Sequence, residues 1–352
     1  MPVGVRWLVL AALVVPALTV AAQDAPFVER VEVTRVLIDA HAFNDRGAPI
    51  TSLGPSDFIV TIGGRQVPVE SAEWVGSPAA SVISTDGAGP SRAGVKPDAR
   101  ADRAPREPAG RLIVFLVQKD LEPSRVLGLM KLSSLADHLL EPLTPGDRVA
   151  VLSFDSRLRI WTDFTNDVAR IRSVLSDEIL VKRPGPVAPS QDVSLTSGLD
   201  ERAAARISSI EQALRHVAQS LEPLPGAKSI VLLGYGFGRW TPGGVMLMDG
   251  YEAAAAALKR ARAAVFTLNV TQADYNSLQA GLQSVSTETG GLYASLYTFP
   301  VQAIRRVTHA LAGHYVLFVE RPDLPRGAHA IDVRLVSGRG RLVSGRRVVR
   351  VR

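Results

Sequence analysis

Cysteine is absent from the 352-residue chain, which excludes a disulfide framework, a thiolate metal site and a cysteine-linked lipid. Histidine is scarce, and His41, His138, His216, His309, His314 and His329 form no His-Glu-x-x-His or other compact ligand spacing. No Gly-x-Ser-x-Gly elbow occurs, and no nucleophile and base pair announces a hydrolase. Long apolar runs are missing except at the start. There, Arg6 precedes an apolar stretch from Trp7 to Ala22, interrupted only by Pro16 and Thr19 and ending in small residues. That is the three-part layout of a secretory signal peptide cleaved after Ala22. It is short for a spanning helix, which needs roughly 20 residues, so an uncleaved signal anchor is the only tie to a membrane that the sequence offers. The expectation is an exported protein, periplasmic or extracellular, held together by packing alone.

The 46% hydrophobic content suits a large globular core. The net charge of +6 is weighted to the C-terminus, where Arg339, Arg341, Arg346, Arg347, Arg350 and Arg352 crowd together. A solvated strand face protected from edge pairing accounts for them. No aromatic interleaves these arginines as a stacking platform would require, and nucleic acid is not an expected partner.

The centre of the chain is Leu112 to Val117, six apolar residues followed abruptly by Gln118, Lys119 and Asp120. Such a run reads as a strand buried on both faces of a parallel sheet. Around it the sequence alternates strand and helix through Ala312, which predicts a doubly wound, mainly parallel α/β sheet with helices on both faces. Strands are expected at 148–154, 157–161, 229–233, 265–270 and 292–296. Helices are expected at 126–140, 167–179, 203–221, 250–264, 275–289 and 300–312. Strands without helices flank this body: 28–38, 57–62 and 66–69 before it, 315–320, 330–335, 342–343 and 348–351 after it. Neither flank can bury a core alone, so the two are expected to pair as one small β-sandwich into which the α/β domain is inserted. The resulting division is a signal at 1–22, an N-terminal β segment at 23–75, a disordered linker at 76–110, the α/β domain at 111–313 and a C-terminal β segment at 314–352 that pairs with the first. The linker is assigned from its Ala, Pro, Gly, Ser, Asp and Arg content, too poor in apolar residues to order itself.

Ligands of open α/β sheets bind beyond the carboxyl ends of the strands, so residues 118–124 and 234–240 are the first candidates for function. Gly234-Tyr235-Gly236-Phe237-Gly238 follows a strand as phosphate loops do, but Arg239 stands where the dinucleotide fingerprint needs glycine. A flexible rim loop, with Tyr235, Phe237 and Trp240 as exposed aromatics for a protein partner, is the better reading. Asp155 and Asp163 could be imagined as paired acids, although carboxylates at loop ends usually cap or face solvent.

The stretches LTPGDRVAVLSFDSRLR (143–159), DFTND (163–167), LPGAKSIVLL (224–233) and TETGGLY (287–293), with the strand at 112–117, resemble the von Willebrand factor A domain. The segment 36–60 also looks like the β unit that precedes this domain in a bacterial family of exported VWFA-related proteins. The resemblance implies a module for protein or cell-surface recognition, often through Mg²⁺ held by an Asp-x-Ser-x-Ser run, a threonine and a later aspartate. This chain departs from that pattern: Gln118 stands at the first aspartate position, Asp120 and Glu122 at the serine positions, and Gly234-Tyr235 replaces the later serine-aspartate. A neutral amide and a tyrosine are poor ligands for a hard cation. The expectation is therefore a non-enzymatic, metal-free recognition loop with Gln118, Asp120, Glu122, Tyr235, Phe237 and Trp240 as the candidate partner-binding residues and no cofactor. The alternative is a Mg²⁺- or Ca²⁺-dependent adhesin using the shifted set Asp120, Glu122 and Ser124. An envelope hydrolase is a distant third.

Overall fold

The computed structural model describes residues 35–45, 47–76, 110–338, 340–345 and 348–351. The signal segment, nearly all of the expected linker, the first half of the expected strand 28–38, and Arg339, Arg346, Arg347 and Arg352 lie outside the described residues. Among the described residues, no helix is long and apolar enough to cross a membrane.

Leu112–Gln118 forms β5, after four strands named below, and all seven of its residues are buried. Side chains alternate across a strand, so Leu112, Val114 and Leu116 enter one core while Ile113, Phe115 and Val117 enter the other. Each such burial contributes about 1.5–3 kcal/mol, which fixes the strand in the middle of its sheet. On either side run β6 (Arg148–Phe154), β7 (Leu158–Thr165), β8 (Lys228–Gly234), β11 (Ala263–Asn269) and β12 (Tyr293–Ser295), in the order β12-β11-β8-β5-β6-β7. Every pairing is parallel except β6 with β7.

One face is covered by α5 (Ile210–Leu221), α6 (Gly250–Arg260) and α7 (Gln279–Thr289). The other is covered by α1 (Pro123–Ser134), α2 (Ala136–Leu140), α3 (Val168–Ser173) and α8 (Pro300–Leu311). In α5 the buried residues Ile210, Ala213, Leu214, Val217, Ala218 and Leu221 recur at helical spacing, which is what lays this helix on the sheet. The helix expected at 203–221 is broken: α4 (Glu201–Ala204) precedes α5, and Ser209 caps α5 by accepting a hydrogen bond from Gln212 N. The helix expected at 167–179 runs as α3 and then as a π turn over Val174–Glu178. A two-stranded hairpin not foreseen in the sequence, β9 (Arg239–Thr241) with β10 (Gly244–Met246), follows β8.

The flanking segments form two four-stranded antiparallel sheets. One has the order β15-β1-β13-β4, built from β1 (Arg35–Phe43), β4 (Val69–Gly76), β13 (Gly313–Glu320) and β15 (Arg341–Ser344). The other has the order β16-β14-β2-β3, built from β2 (Phe58–Ile62), β3 (Arg65–Val67), β14 (Gly327–Leu335) and β16 (Val348–Val351). Chain ends interleave, with Ile38 opposite Leu317 and Val60 opposite Val333. Ile38, Val60, Ile62, Leu317 and Val319 share the core between the sheets. In chain order the α/β body is therefore inserted between two segments that together form the terminal sheets, as the alternation of elements predicted. β1 serves both bodies: Val36, Ile38 and Ala40 face the sandwich core, while Phe43 joins the core of the α/β body and His41 meets Phe266 edge-on at 5.5 Å.

Candidate functional site

In sequence the chain builds β5, β6 and β7 outward in one direction, then returns to lay β8, β11 and β12 on the other side of β5. The reversal between β5 and β8 leaves their carboxyl ends flanking a crevice, the usual ligand position of such sheets. Here the crevice is filled by the chain itself. Gln118 is buried at 2% exposure, and its Nε2 donates to Gly236 O at 2.9 Å. Its Oε1 accepts from Tyr235 N and Gly236 N at 3.2 and 3.3 Å. The amide has a donor and an acceptor, and the loop after β8 uses both. The glycines belong to this packing: a Cβ on Gly234 would lie 2.4 Å from Gln118 Oε1, and one on Gly236, at φ +113°, would lie 2.1 Å from Leu278 O. Their role is close approach, and no phosphate cradle is needed to explain them.

Beyond Gln118 the carboxylates are engaged. Asp120 accepts from Leu121 N at 2.6 Å and pairs with the Arg125 guanidinium. Glu122 caps α1, accepting from Ser124 N and Arg125 N at 3.2 Å each and from Ser124 Oγ at 2.5 Å. Arg125 Nε stands 3.6 Å from Glu122, and the guanidinium lies over the Tyr235 ring at 3.9 Å. Burial pushes the Asp120 carboxyl up, but hydrogen bonds from Leu121 and Arg125, with the charge of Arg125, outweigh it and hold it below the usual carboxylate range. The Ser124 hydroxyl and the backbone do the same for Glu122. Burial, then the charge of Asp120, pushes the Tyr235 phenol up. The carboxyls of this loop are thus weaker bases, and its phenol a weaker acid, than the free groups. A second ionic set adjoins them: Asp155 pairs with Lys119 and Arg159 at 3.3 Å each.

A divalent cation does not fit the shifted set Asp120, Glu122 and Ser124. Arg125 already occupies the space beside both carboxylates, and the Ser124 hydroxyl is spent on Glu122. A hard cation requires several oxygens aimed at one point. Among the described residues, no group of three or more His, Cys, Asp or Glu side chains converges in that way.

Of the candidate partner-binding residues, Trp240 is 67% exposed, on the β9–β10 hairpin rather than on a loose loop. Tyr235 is half-buried beneath Arg125. Gln118 and Phe237 are corrected: neither reaches the rim. Phe237 is 4% exposed and packs 6.0 Å from Tyr251, in space that the absence of a side chain at Gly281 provides. Asp163 is buried, with no paired acid, and accepts hydrogen bonds from Ser190 N, Ser194 Oγ, Leu195 N and Thr196 Oγ1 that hold the 190–196 loop.

The sequence reading passed over Leu121, Tyr275, Tyr297 and Phe299. Leu121 is 93% exposed, and the exposed aromatics among the described residues are Trp240, Tyr275, Tyr297 and Phe299. All four stand on segments that leave the carboxyl ends of β8, β11 and β12. Large apolar residues in otherwise polar stretches directly after parallel strands were the available signal.

No family model matches this chain, and no curated protein matches it. Among solved structures, a von Willebrand factor type A protein from Catenulispora acidiphila is similar over 66% of this chain and 64% of its own, at 10% identity and TM-score 0.39. The conserved hypothetical protein BatB from Bacteroides thetaiotaomicron is similar over 57% and 97%, at 17% identity and TM-score 0.38. The human COPII-coat protein Sec24c is similar over 70% of this chain at 13% identity and TM-score 0.38, and the match spans only 44% of the Sec24c chain.

Proposed function

We propose that this chain is an exported, non-catalytic recognition module of the von Willebrand A type that docks a protein or cell-surface partner at the carboxyl edge of its sheet, without a bound metal. The observation that carries the reading is that the exposed Leu121, Trp240, Tyr275, Tyr297 and Phe299 all stand on segments leaving the carboxyl ends of β5, β8, β11 and β12. Aromatic side chains anchor protein interfaces because they bury large areas at little entropic cost, and leaving four in water on one edge has no benefit to the isolated fold. The internal pairing of Asp120, Glu122 and Arg125 supports docking over chemistry, since both carboxyls are held below their usual range and are weak bases near neutrality. Arg125 also supplies the positive charge at the crest that a metal would bring, which makes the module a degenerate relative of metal-dependent ones.

The test immobilises the mature protein, captures envelope or surface proteins with and without EDTA, and titrates the purified partner against wild type and Trp240→Ala. The expected result is chelator-insensitive binding that weakens by about tenfold or more in the variant, the size of an interface hot spot, with thermal unfolding unchanged. Equal affinity for the variant rules out this edge, and loss of binding in EDTA rules out the metal-free reading.

A further inference from the structure

The terminal sheets meet the α/β body along β1 and β13, and a histidine crosses that seam. His41 is buried at 7% exposure, on a strand whose Ala40 and Ala42 face the core of the terminal sheets. Its ring points the other way. It lies parallel to the ring of Phe43 at 6.2 Å and meets Phe266 of β11 edge-on. Nδ1 stands 3.1 Å from Gly313 O of β13, a contact that a neutral imidazole protonated on Nδ1 satisfies. Phenylalanine would suit the aromatic surroundings without a polar atom; histidine adds a group that in water titrates near neutrality.

The surroundings offer a charged imidazole little compensation. His314 of β13 is 5.5 Å away, ring to ring. Asp39, two residues back on β1, already accepts two hydrogen bonds from Arg262 at 2.7 and 3.0 Å and has His314 Nε2 at 3.7 Å. β11 contributes Phe266, and β15 contributes Val343, opposite His41 in register. From α8 comes the Ala310 carbonyl, next in sequence to His309, whose imidazole is itself pushed down by burial and by Arg305. A cavity of about 480 Å³ opens along the seam, its wall shared by His41, Asp39 and His314 with Arg111, Lys228, Lys259, Arg260 and Arg262. Burial, then the neighbouring His314, pushes the His41 imidazole from 6.5 down to about 3, against the opposing pull of Asp39 and two backbone carbonyls. Between those values a solvated His41 binds a proton that the buried one does not, so the closed seam is lost as pH falls. The terminal sheets keep a core of their own around Ile38, Val60 and Leu317, separate from the two cores of the six-stranded sheet. Parting at the seam therefore exposes Phe43 and Val343 and leaves each body its own packing.

We propose that this seam is an acid-opened latch: protonation of His41 below about pH 6 releases β1 and β13 from the α/β body and widens the cavity, while the six-stranded sheet stays folded. The latch is independent of partner docking at the opposite edge.

Hydrogen exchange of the full chain between about pH 6 and pH 4, corrected for the intrinsic pH dependence of amide exchange, tests this. The opening constant for amides of 39–42 and 313–316 is expected to rise by close to tenfold per pH unit, while that for 112–117 does not. The lowered Asp39 carboxyl titrates below that window. His41→Asn carries a side-chain donor but no titratable group, and should flatten the rise. Proton NMR of the His41 imidazole reads the same group in the wild type even if the variant fails to fold, and the ring is expected to remain neutral at about pH 5 in the closed chain. Four results each overturn the proposal: no rise at 39–42, an equal rise at 112–117, an unchanged slope in His41→Asn, or a His41 ring that becomes charged near neutrality while the seam stays closed.

Discussion

At the carboxyl edge the space above β5 and β8 is closed by Gln118 and the glycines around it, and the surface outside carries mutually paired charges together with exposed apolar and aromatic side chains. At the amino edge the same two strands begin beside an open cavity lined by basic residues. The difference comes from what each edge must accommodate. Parallel strands send long connections out from their carboxyl ends, and those segments have room to fold back and fill the crevice. At the other edge the returns are tight: only Ala261 and Arg262 separate α6 from β11, so the gap is shaped by the β1 and β13 strands laid against it.

The largest expected effect lies at the amino edge. Arg111 donates to Asp147, to Leu311 O at 2.6 Å and to Pro142 O at 2.9 Å, joining three segments, and Asp147 is almost wholly buried. Arg111→Ala strands that carboxylate and should cost about 3–5 kcal/mol in urea unfolding. Acid should weaken the same edge next. Burial pushes the Asp147 and Asp39 carboxyls up, but hydrogen bonds and charge from Arg111 and Arg262 hold both below the ordinary 3.8. A carboxylate with a lower pKa folded than unfolded adds stability above its unfolded value, and that stability is lost as pH falls through the folded one. The unfolding temperature should therefore fall as pH drops below about 4, less steeply in Arg111→Ala; an unchanged acid limb in that variant would locate the sensitivity elsewhere. Asp120 at the carboxyl edge also has a lowered pKa, but its exposure to solvent screens its share.

At the carboxyl edge, Gln118→Ala removes partners from two amide N–H groups and a carbonyl, and should cost about 1–3 kcal/mol. Hydrogen exchange at Tyr235 and Gly236 should accelerate while exchange in β11 does not. If Gln118→Ala costs as much as Arg111→Ala, the two edges do not differ in kind. The smallest effect is expected at Trp240→Ala, within about 0.5 kcal/mol of wild type. A larger loss would mean that this side chain supports the hairpin and is not held in reserve for a partner.

Much of this was legible in the chain. The apolar run at 112–117 identified the central strand because only burial on both faces tolerates such a run. The alternation around it gave the sheet, and the flanks without helices gave the sandwich. The β9–β10 hairpin was not legible, since Arg239 to Met246 carries no strong period and its pairing covers three residues a side. Phe237 reads the same whether buried or exposed; what buries it is Gly281, more than 40 positions away in the chain. Arg125 reads as an ordinary first-turn arginine until the loop after β8 brings Tyr235 beneath it.

By itself the sequence determined which segments pair with which kind of neighbour, because hydrophobic period is a local property that burial converts directly into strand or helix. It also determined that a neutral amide, Gln118, ends β5. Only the tertiary structure decided what fills that crest and where an opening remains. The Gln118 amide meets a loop more than 110 residues away, and the cavity wall is assembled from residues near 39, 111, 228, 262 and 314. Such contacts depend on distance and direction in space, and no spacing along the chain encodes either.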